Sequence, residues 1–472
     1  MDVLWTADAI AAVTNGKRVG SNFEATGVSI DSRTLQRGDL FIAIQGQHSD
    51  GHIYINAALE KGASGIIATS TMQEFNGVVV TDTLRALQDL GAGARARSQA
   101  HLFGITGSVG KTSAKEMLAR CLRLLDETHA AEASLNNHWG VPLSLARMPI
   151  TARYGVFELG MNHANEIAPL SKMIAPHCAL ITTIASAHIA NLGSLENIAR
   201  AKAEIFQGMD TNGVAVLPRD SEQYAVLLAE ARTCGLQNII TFGRHSESDF
   251  RVIDITTQGT KTNLSFTHRN RTYQVTLGLA GDHQAMNACG VLACVSTVCP
   301  DIEQVFAALE TMQPVMGRGN RWSFTLQADA PPVIVIDETH NASPIAVRAA
   351  LEVVAKIPTA GRRIAILGDM LELGDSSPRE HAALKDAIEA AAIDQVWTCG
   401  KWMIHLAEAM PFGRSRHYED SASLASQIEE LICPGDVLLV KGSRGSAMKR
   451  VIDVLQMISH SRVQAYLEPS GT

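Results

Sequence analysis

Short apolar runs bounded by polar or turn residues recur along the middle of the chain: Leu102-Phe103-Gly104-Ile105, Tyr154-Gly155-Val156-Phe157-Glu158 and Ala179-Leu180-Ile181-Thr182-Thr183-Ile184. Between them, apolar residues three or four apart mark helices, as in the stretch beginning Ser113-Ala114-Lys115-Glu116-Met117-Leu118. Strands alternating with helices predict βαβ units and a largely parallel sheet. In the same region Leu264-Ser265-Phe266 and Tyr273-Gln274-Val275 flank the polar turn His268-Arg269-Asn270-Arg271, which predicts a β-hairpin attached to that sheet.

The texture changes on either side. The first 83 residues mix short strands and helices and end in Gly77-Val78-Val79-Val80-Thr81. After the turn-rich stretch Gln313-Pro314-Val315-Met316-Gly317-Arg318-Gly319-Asn320, a hinge, strands at 333–337, 363–367, 395–398 and 437–440 again alternate with helices. That last part has a Rossmann-type pattern but no Gly-x-Gly-x-x-Gly, so no bound dinucleotide is expected. The expected fold is α/β in three domains: an N-terminal α/β domain over 1–83, a central P-loop ATPase-type parallel sheet over 84–313, and a C-terminal Rossmann-like domain over 314–472.

Composition narrows the class. A chain of 472 residues, 46% hydrophobic and 19% charged, is that of a soluble globular protein with more than one core. Its net charge of -8 offers no basic footprint for nucleic acid. No apolar run approaches membrane-spanning length, and the acidic start Met1-Asp2-Val3-Leu4-Trp5 lacks the pattern of a signal peptide. Eight cysteines occur without a Cys-x-x-Cys pair. Cys289, Cys294 and Cys299 are spaced by five, an advance of about 500° along a helix, so they cannot share a metal-binding face. They read as core thiols of a reduced, cytoplasmic protein.

Directly behind the first strand stands Thr106-Gly107-Ser108-Val109-Gly110-Lys111-Thr112. Glycines let backbone amides close round phosphates, the Lys111 ammonium reaches β/γ oxygens, and the Thr112 hydroxyl can ligate Mg²⁺. The first glycine of the general P-loop pattern is replaced by Ile105. Because a strand precedes the motif and a helix follows, a nucleotide site is the better reading than an ordinary strand-to-helix turn.

Ligands of an open parallel sheet sit beyond the carboxyl ends of its strands. Glu158 ends the strand after the phosphate loop, and His188 lies just past the strand ending at Ile184. A carboxylate beside a nucleotide is a natural Mg²⁺ ligand, and histidine a less usual one. In Ser194-Leu195-Glu196-Asn197-Ile198-Ala199-Arg200-Ala201-Lys202, Ser194 can cap a helix whose apolar face holds Leu195 and Ile198, and Lys202 falls on that face. Lys202 could snorkel to water, bind phosphate, or become a carbamate by reaction with CO₂, which would give Mg²⁺ an oxygen ligand.

Together, the phosphate loop, Phe157-Glu158-Leu159-Gly160, Ala187-His188, Ala201-Lys202-Ala203-Glu204-Ile205-Phe206 and Gly281-Asp282-His283-Gln284-Ala285-Met286-Asn287 resemble the Mur ligases. Asp31-Ser32-Arg33, Gly38-Asp39-Leu40-Phe41 and Asp50-Gly51-His52 are similar to that family's UDP-sugar-binding domain. Ile366-Leu367-Gly368-Asp369-Met370-Leu371-Glu372-Leu373-Gly374 and Val440-Lys441-Gly442-Ser443-Arg444 resemble its D-alanyl-D-alanine-adding branch. Two elements depart from the usual pattern. Asp337-Glu338-Thr339-His340-Asn341-Ala342-Ser343-Pro344 stands where Asp-Asp-x-Tyr-Asn-Ala-Asn-Pro is usual, and Gln284 replaces an asparagine.

The resemblance implies an ATP- and Mg²⁺-dependent ligase, monomeric and cytoplasmic, that joins UDP-N-acetylmuramoyl-tripeptide to D-alanyl-D-alanine through an acyl phosphate. Gly107, Ser108, Gly110, Lys111, Thr112 and Ser113 would hold the phosphates, and Thr112 and Glu158 a first Mg²⁺. His188 and carbamylated Lys202 would hold a second. His283 and Asn287 would line the nucleotide pocket, which Arg318 and Asp337 would join on closure of the third domain. Ser32 and Arg33 would bind the UDP end, and Asn136, Asn137, His340 and Asn341 the remaining substrate. A linker with glycines also leads to the expectation of an open unliganded form, with Asp337 remote from the phosphate loop. The competing classes are weaker: no Asn-Lys-x-Asp tetrad marks a guanine-reading switch, and a simple kinase needs no amine substrate. Within the family, the Asp-Asn-Pro-Arg element of the diaminopimelate-adding ligase is absent. Folylpolyglutamate synthase lacks this type of N-terminal domain.

Overall fold

The strand His101–Thr106 is the axis of the largest sheet in the computed structural model, which describes residues 2–46, 49–70, 75–132, 134–186 and 189–467. Parallel neighbours flank it: Tyr154–Glu158 and then Thr128–Ala130 on one side, Cys178–Ile181, Val214–Pro218 and Asn238–Gly243 on the other. The chain therefore reverses its direction of winding at His101–Thr106, and the crevice beyond its carboxyl end is where a parallel sheet binds ligands. Phe250–Gln258 continues the sheet, followed by the expected hairpin of Lys261–His268 with Arg271–Leu277. Its turn has Arg269 and Asn270 both at positive φ, 48° and 61°, matching a type I′ turn to the strand twist.

Alternation along His101–Thr106 sorts its side chains between two cores. Phe103 and Ile105 pack with the helices Lys111–Arg123 and Asp282–Val295. Leu102 faces the opposite layer of Gly140–Ala146, Ile167–Ile174 and Leu195–Ala203. Gly104 also faces that layer, where a Cβ would sit 3.1 Å from Ile205, so its lack of a side chain lets the turn Glu204–Gly208 close on the sheet. Burying one such Leu, Ile or Phe contributes about 1.5–3 kcal/mol relative to leaving it in water. Cys289, Cys294 and Cys299 are all buried thiols, as expected.

The N-terminal sheet has the order Lys17–Val19, Gly77–Val79, Gly65–Ala68, Asp39–Ile42, Gly27–Ser29, antiparallel only at the first pair. The helix Thr83–Arg97, capped by Asp82, puts Leu87, Leu90 and Ala94 into a core that also takes Trp5 on one side and Leu143 and Ala146 on the other. The Trp5 indole donates to the Ala146 carbonyl at 2.8 Å, so the first two sheets share one apolar core. The third sheet runs Asn320–Phe324, Val333–Glu338, Val437–Lys441, Arg363–Gly368, Gln395–Cys399, Ser415–Tyr418, parallel except for its first strand. Among the described residues no helix is long and apolar enough to cross a membrane.

The expected open arrangement is not the one observed. The third domain rests on the central one: Ser134 Oγ lies 3.4 Å from His340 Nε2, Ala190 N donates to the Glu372 carbonyl at 3.5 Å, and Lys356 reaches Asp282 at 3.3 Å. The linker glycines turn the chain sharply at the hinge, with φ of 73° at Gly317 and 96° at Gly319. His340 N donates to the Gly317 carbonyl at 3.1 Å, tying the linker turn to the third domain.

Candidate active site

The phosphate loop is shaped by two glycines and braced from the neighbouring strand. Gly107 has φ 150° and Gly110 φ 85°, and Gly110 precedes the first turn of the helix Lys111–Arg123. A Cβ on Gly107 would lie 1.9 Å from Thr182 Oγ1, and that hydroxyl instead donates to the Val109 carbonyl at 2.6 Å. Ser108 is tied down the same way, its N donating to Thr183 O at 2.8 Å and its hydroxyl to Ala185 O at 3.0 Å. The loop is thus built before any ligand enters, with the helix N-terminus behind it as an anion site. Thr182 was not singled out from sequence, although the strand-end rule that selected Glu158 applies equally to it.

Lys111 donates to the Gly107 carbonyl at 2.8 Å, and burial lowers its pKa while the nearby Glu158 carboxylate opposes that shift. Thr112 Oγ1 donates to Glu158 Oε2 at 2.7 Å, and Asn136 Nδ2 to Glu158 Oε1 at 2.7 Å. Both Thr112 and Glu158 are buried. Asn136 therefore orients the carboxylate, whereas Asn137 is exposed and caps the helix Gly140–Ala146 by accepting from Gly140 N at 2.9 Å. Ser113 is buried in the first turn of the phosphate helix. Asn287 lies against the loop, its amide 2.6 Å from where a Cβ on Gly110 would be.

Lys202 is 1% exposed, so its stem does not snorkel to solvent. Ser194 caps its helix as expected, accepting from Asn197 N at 3.1 Å. Burial, and second the charge of Lys111, hold the Lys202 amine well below its ordinary pKa. The adjacent Glu204 accepts from the backbone N–H groups of Ile167 and Ala168, both at 3.1 Å, and so caps a different helix, Ile167–Ile174. His188 lies outside the described residues.

From the third domain, Arg318 enters the cleft, close enough to feel both Glu158 and Glu338, with its pKa lowered by burial. His340 is pushed down to about 4 by burial and then by Arg318, so it is neutral at physiological pH. Asp337 is buried and accepts from Thr339 N at 3.0 Å, while Asn341 is exposed. Lys441 binds Glu338 at 3.0 Å and the Asn341 carbonyl at 3.0 Å. A cavity of about 190 Å³ opens between the two domains, lined by Leu279, His283, Gln284, Arg318, Glu338 and Val353. Gln284 Oε1 is buried there without a hydrogen-bond partner among the described residues. Ser32 and Arg33 follow the strand Gly27–Ser29 in the N-terminal domain, and Arg33 is ion-paired to Asp31 at 2.7 Å.

The donor set at the loop suits Mg²⁺ rather than a transition metal. No group of three or more His, Cys, Asp or Glu gathers among the described residues, and Mg²⁺ characteristically uses one or two protein oxygens with phosphates and water. The Thr112 hydroxyl and Glu158 carboxylate are such a pair.

Three family profiles match the chain: the Mur ligase middle domain over residues 105–295, the Mur ligase glutamate ligase domain over 320–444, and the Mur ligase family catalytic domain over 24–94. It is 32% identical to the UDP-N-acetylmuramoyl-tripeptide–D-alanyl-D-alanine ligase of Rickettsia prowazekii, over 96% of this chain and 100% of that one. The crystal structure of MurF from Acinetobacter baumannii superposes with a TM-score of 0.83 at 29% identity, covering 96% of this chain and 99% of the other. The MurF ligase of Thermotoga maritima in complex with ADP gives a TM-score of 0.75 at 26% identity, over 92% and 98%.

Proposed function

The chain belongs to the Mur ligase family, and from that premise we propose how its own residues carry out the reaction. It is an ATP-dependent carbon–nitrogen ligase that adds D-alanyl-D-alanine to UDP-N-acetylmuramoyl-tripeptide in peptidoglycan precursor synthesis. ATP phosphorylates the tripeptide's terminal carboxylate, the dipeptide amine attacks the acyl phosphate, and phosphate leaves. A carboxylate is a poor electrophile, so the enzyme's work is to align anions and neutralise their charge.

One observation carries the residue-level reading: Thr112 and Glu158 meet at 2.7 Å beside a preformed phosphate loop whose lysine is half-buried. Lys111 and the loop amides hold the β- and γ-phosphates, exchanging the Gly107 carbonyl for a phosphate oxygen. Gly107, Ser108, Gly110 and Ser113 shape that cradle. Thr112 and Glu158 would hold Mg²⁺, which would supply neutralisation of phosphate charge and polarisation of the transferring group. Asn136 keeps the Glu158 carboxylate aimed. Asn287, beside Gly110, and His283 with Gln284, in the interdomain cavity, receive the nucleoside. An unpaired buried acceptor costs about 1–3 kcal/mol, which a donor on the base would relieve at Gln284 Oε1. Arg318 and Asp337 complete the nucleotide site from the third domain, Ser32 and Arg33 bind the UDP end, and His340 and Asn341 face the remaining substrate.

Lys202 we read as the carbamate. Its neutral amine, favoured by burial and by Lys111, would add to CO₂ with loss of a proton, and the resulting carbamate together with His188 would hold a second Mg²⁺. We infer a monomer, and from the need for ATP a reaction in the cytoplasm. The test is phosphate release with ATP, UDP-tripeptide and D-alanyl-D-alanine supplied singly and together. A ligase needs all three, whereas release from ATP alone, or product phosphorylation without the amine, would favour a hydrolytic switch or a kinase.

A further inference from the structure

The loop 369–374 leaves the strand Arg363–Gly368 and ends against the central domain. The Glu372 carbonyl accepts from Ala190 N at 3.5 Å, and a Cβ on Gly374 would lie 3.0 Å from that of Ala190. Its shape is not one the chain takes freely, because Glu372 stands at φ 65° and Gly374 at φ 55°. Behind it lies a histidine with no part in the mechanism above. His381 is fully buried in the short helix Ser377–Ala382. Its Nδ1 is 2.6 Å from the Ser377 carbonyl and its Nε2 2.9 Å from Met370 N.

Those two partners fix the imidazole's proton. A carbonyl only accepts, so Nδ1 carries the hydrogen; an amide N–H only donates, so Nε2 must present its lone pair. Both ring nitrogens are therefore occupied while the ring is neutral. A second proton would set N–H against N–H and leave the Met370 amide without an acceptor, at a residue that is itself fully buried. The proton can enter only if the loop moves off the ring.

The surrounding charges do not remove this conflict. Burial lowers the His381 pKa, against the opposing pull of the Ser377 hydrogen bond and of the Asp369 and Glu380 carboxylates, while His405 on the neighbouring helix Ile404–Ala409 adds to the lowering. Asp369 is already engaged by Trp402 N at 3.0 Å and Met403 N at 2.9 Å. The other charges nearby are turned elsewhere: Arg379 pairs with Glu380 at 3.1 Å, Lys385 with Glu389 at 3.9 Å, and Arg348 donates to the Ala383 carbonyl at 2.9 Å. Asp375, Asp386 and Glu408 are exposed.

We propose that His381 is a positioning residue for ligation: its neutral ring holds the loop 369–374 in the shape that seats the third domain on Ile189–Leu192, and protonation of that ring releases the loop. The sign follows from linkage. A released loop lets the ring take up its proton near the ordinary value of about 6.5, whereas the held loop delays it to lower pH, so the seat is intact above about pH 6.5 and is lost as pH falls below it. The effect on turnover rests on the ligase reading above; the release of the loop does not.

Two measurements on the whole protein test this. Amide hydrogen exchange over 369–376, corrected for its intrinsic pH dependence, should speed up by about tenfold between about pH 7.5 and about pH 5.5, the change one proton near 6.5 can drive, while Lys111–Arg123 keeps its protection. His381→Gln keeps an acceptor for Met370 N but does not titrate, so in that variant the rise should vanish. The ratio of native to His381→Gln kcat/KM for D-alanyl-D-alanine should be near unity at about pH 7.5 and fall by about tenfold at about pH 5.5. His381→Leu, with no acceptor, should lose on the order of tenfold at every pH, with the loop exchanging fast throughout. Exchange over 369–376 that ignores pH in the native protein, or the same acid loss in native and His381→Gln proteins, would overturn the proposal. Should the variants not fold, the native exchange decides alone. A native protein that forms no amide bond at any pH would remove the ligase reading and leave the exchange result standing.

Discussion

At the scale of single residues, the site depends on charges that burial makes expensive. Lys111→Ala should lower the ligation rate on the order of 10²- to 10³-fold in steady-state assays while leaving the thermal midpoint nearly unchanged, because charge stabilisation is lost and no core packing is. Near-native turnover would take the lysine out of the mechanism. Lys202→Ala should be similarly inactive, and added acetate should restore part of the rate if a carbamate oxygen is what is missing. No rescue would point to a cationic contact with phosphate. A third test concerns acid. Burial holds the His129 imidazole down at about 4, against about 6.5 in an unfolded chain. The unfolded state therefore takes up the proton first, so the stability tied to His129 is intact above about pH 6.5 and is lost as pH falls toward about 4. His129→Gln should flatten that part of the profile of urea midpoint against pH; an unaltered slope would assign the acid sensitivity elsewhere. Lys202 was legible in the sequence because helical periodicity alone puts it on the face of Ile198. Gln284 and Arg318 lining one cavity was not, because it depends on how two domains dock rather than on any local spacing.

At the scale of elements, backbone shape and caps set the limits. Gly107→Ala would place a Cβ 1.9 Å from Thr182 Oγ1, so the loop must shift and ATP affinity should fall by at least about tenfold in calorimetric titration. Gly413→Ala makes the control: its φ of 80° is also left-handed but nothing lies within 4 Å, so ATP affinity should hold. Equal effects would mean that strain, not the Thr182 contact, governs the loop. The long strands and the hairpin could be read from apolar runs because they are buried on two faces or bounded by turn residues. Thr128–Ala130 and Ser415–Tyr418 could not, being edge strands with no fully buried side chain and no apolar run to announce them. Glu204 was legible only as part of a motif, since the helix it caps begins 37 residues earlier in sequence at Ile167.

At the scale of the whole molecule, the glycine-containing linker suggested a gap, and the docked arrangement shows what outweighs its freedom: contacts of Ser134, Ala190 and Asp282 with the third domain. These three contacts are polar, and we expect this arrangement to be the one that ligands favour. X-ray scattering with an ATP analogue and UDP-tripeptide should fit its dimensions, and a more extended bound form would contradict it. The shared core beneath Trp5 bears on how the protein comes apart. Thr83–Arg97 gives its apolar face to Trp5 and to Leu143 at once, so the first sheet cannot leave the second without exposing that surface to water. The three domains should then melt as two cooperative units, and a protease cutting near Met316, which is 75% exposed, should release the N-terminal and central domains as one folded fragment rather than two.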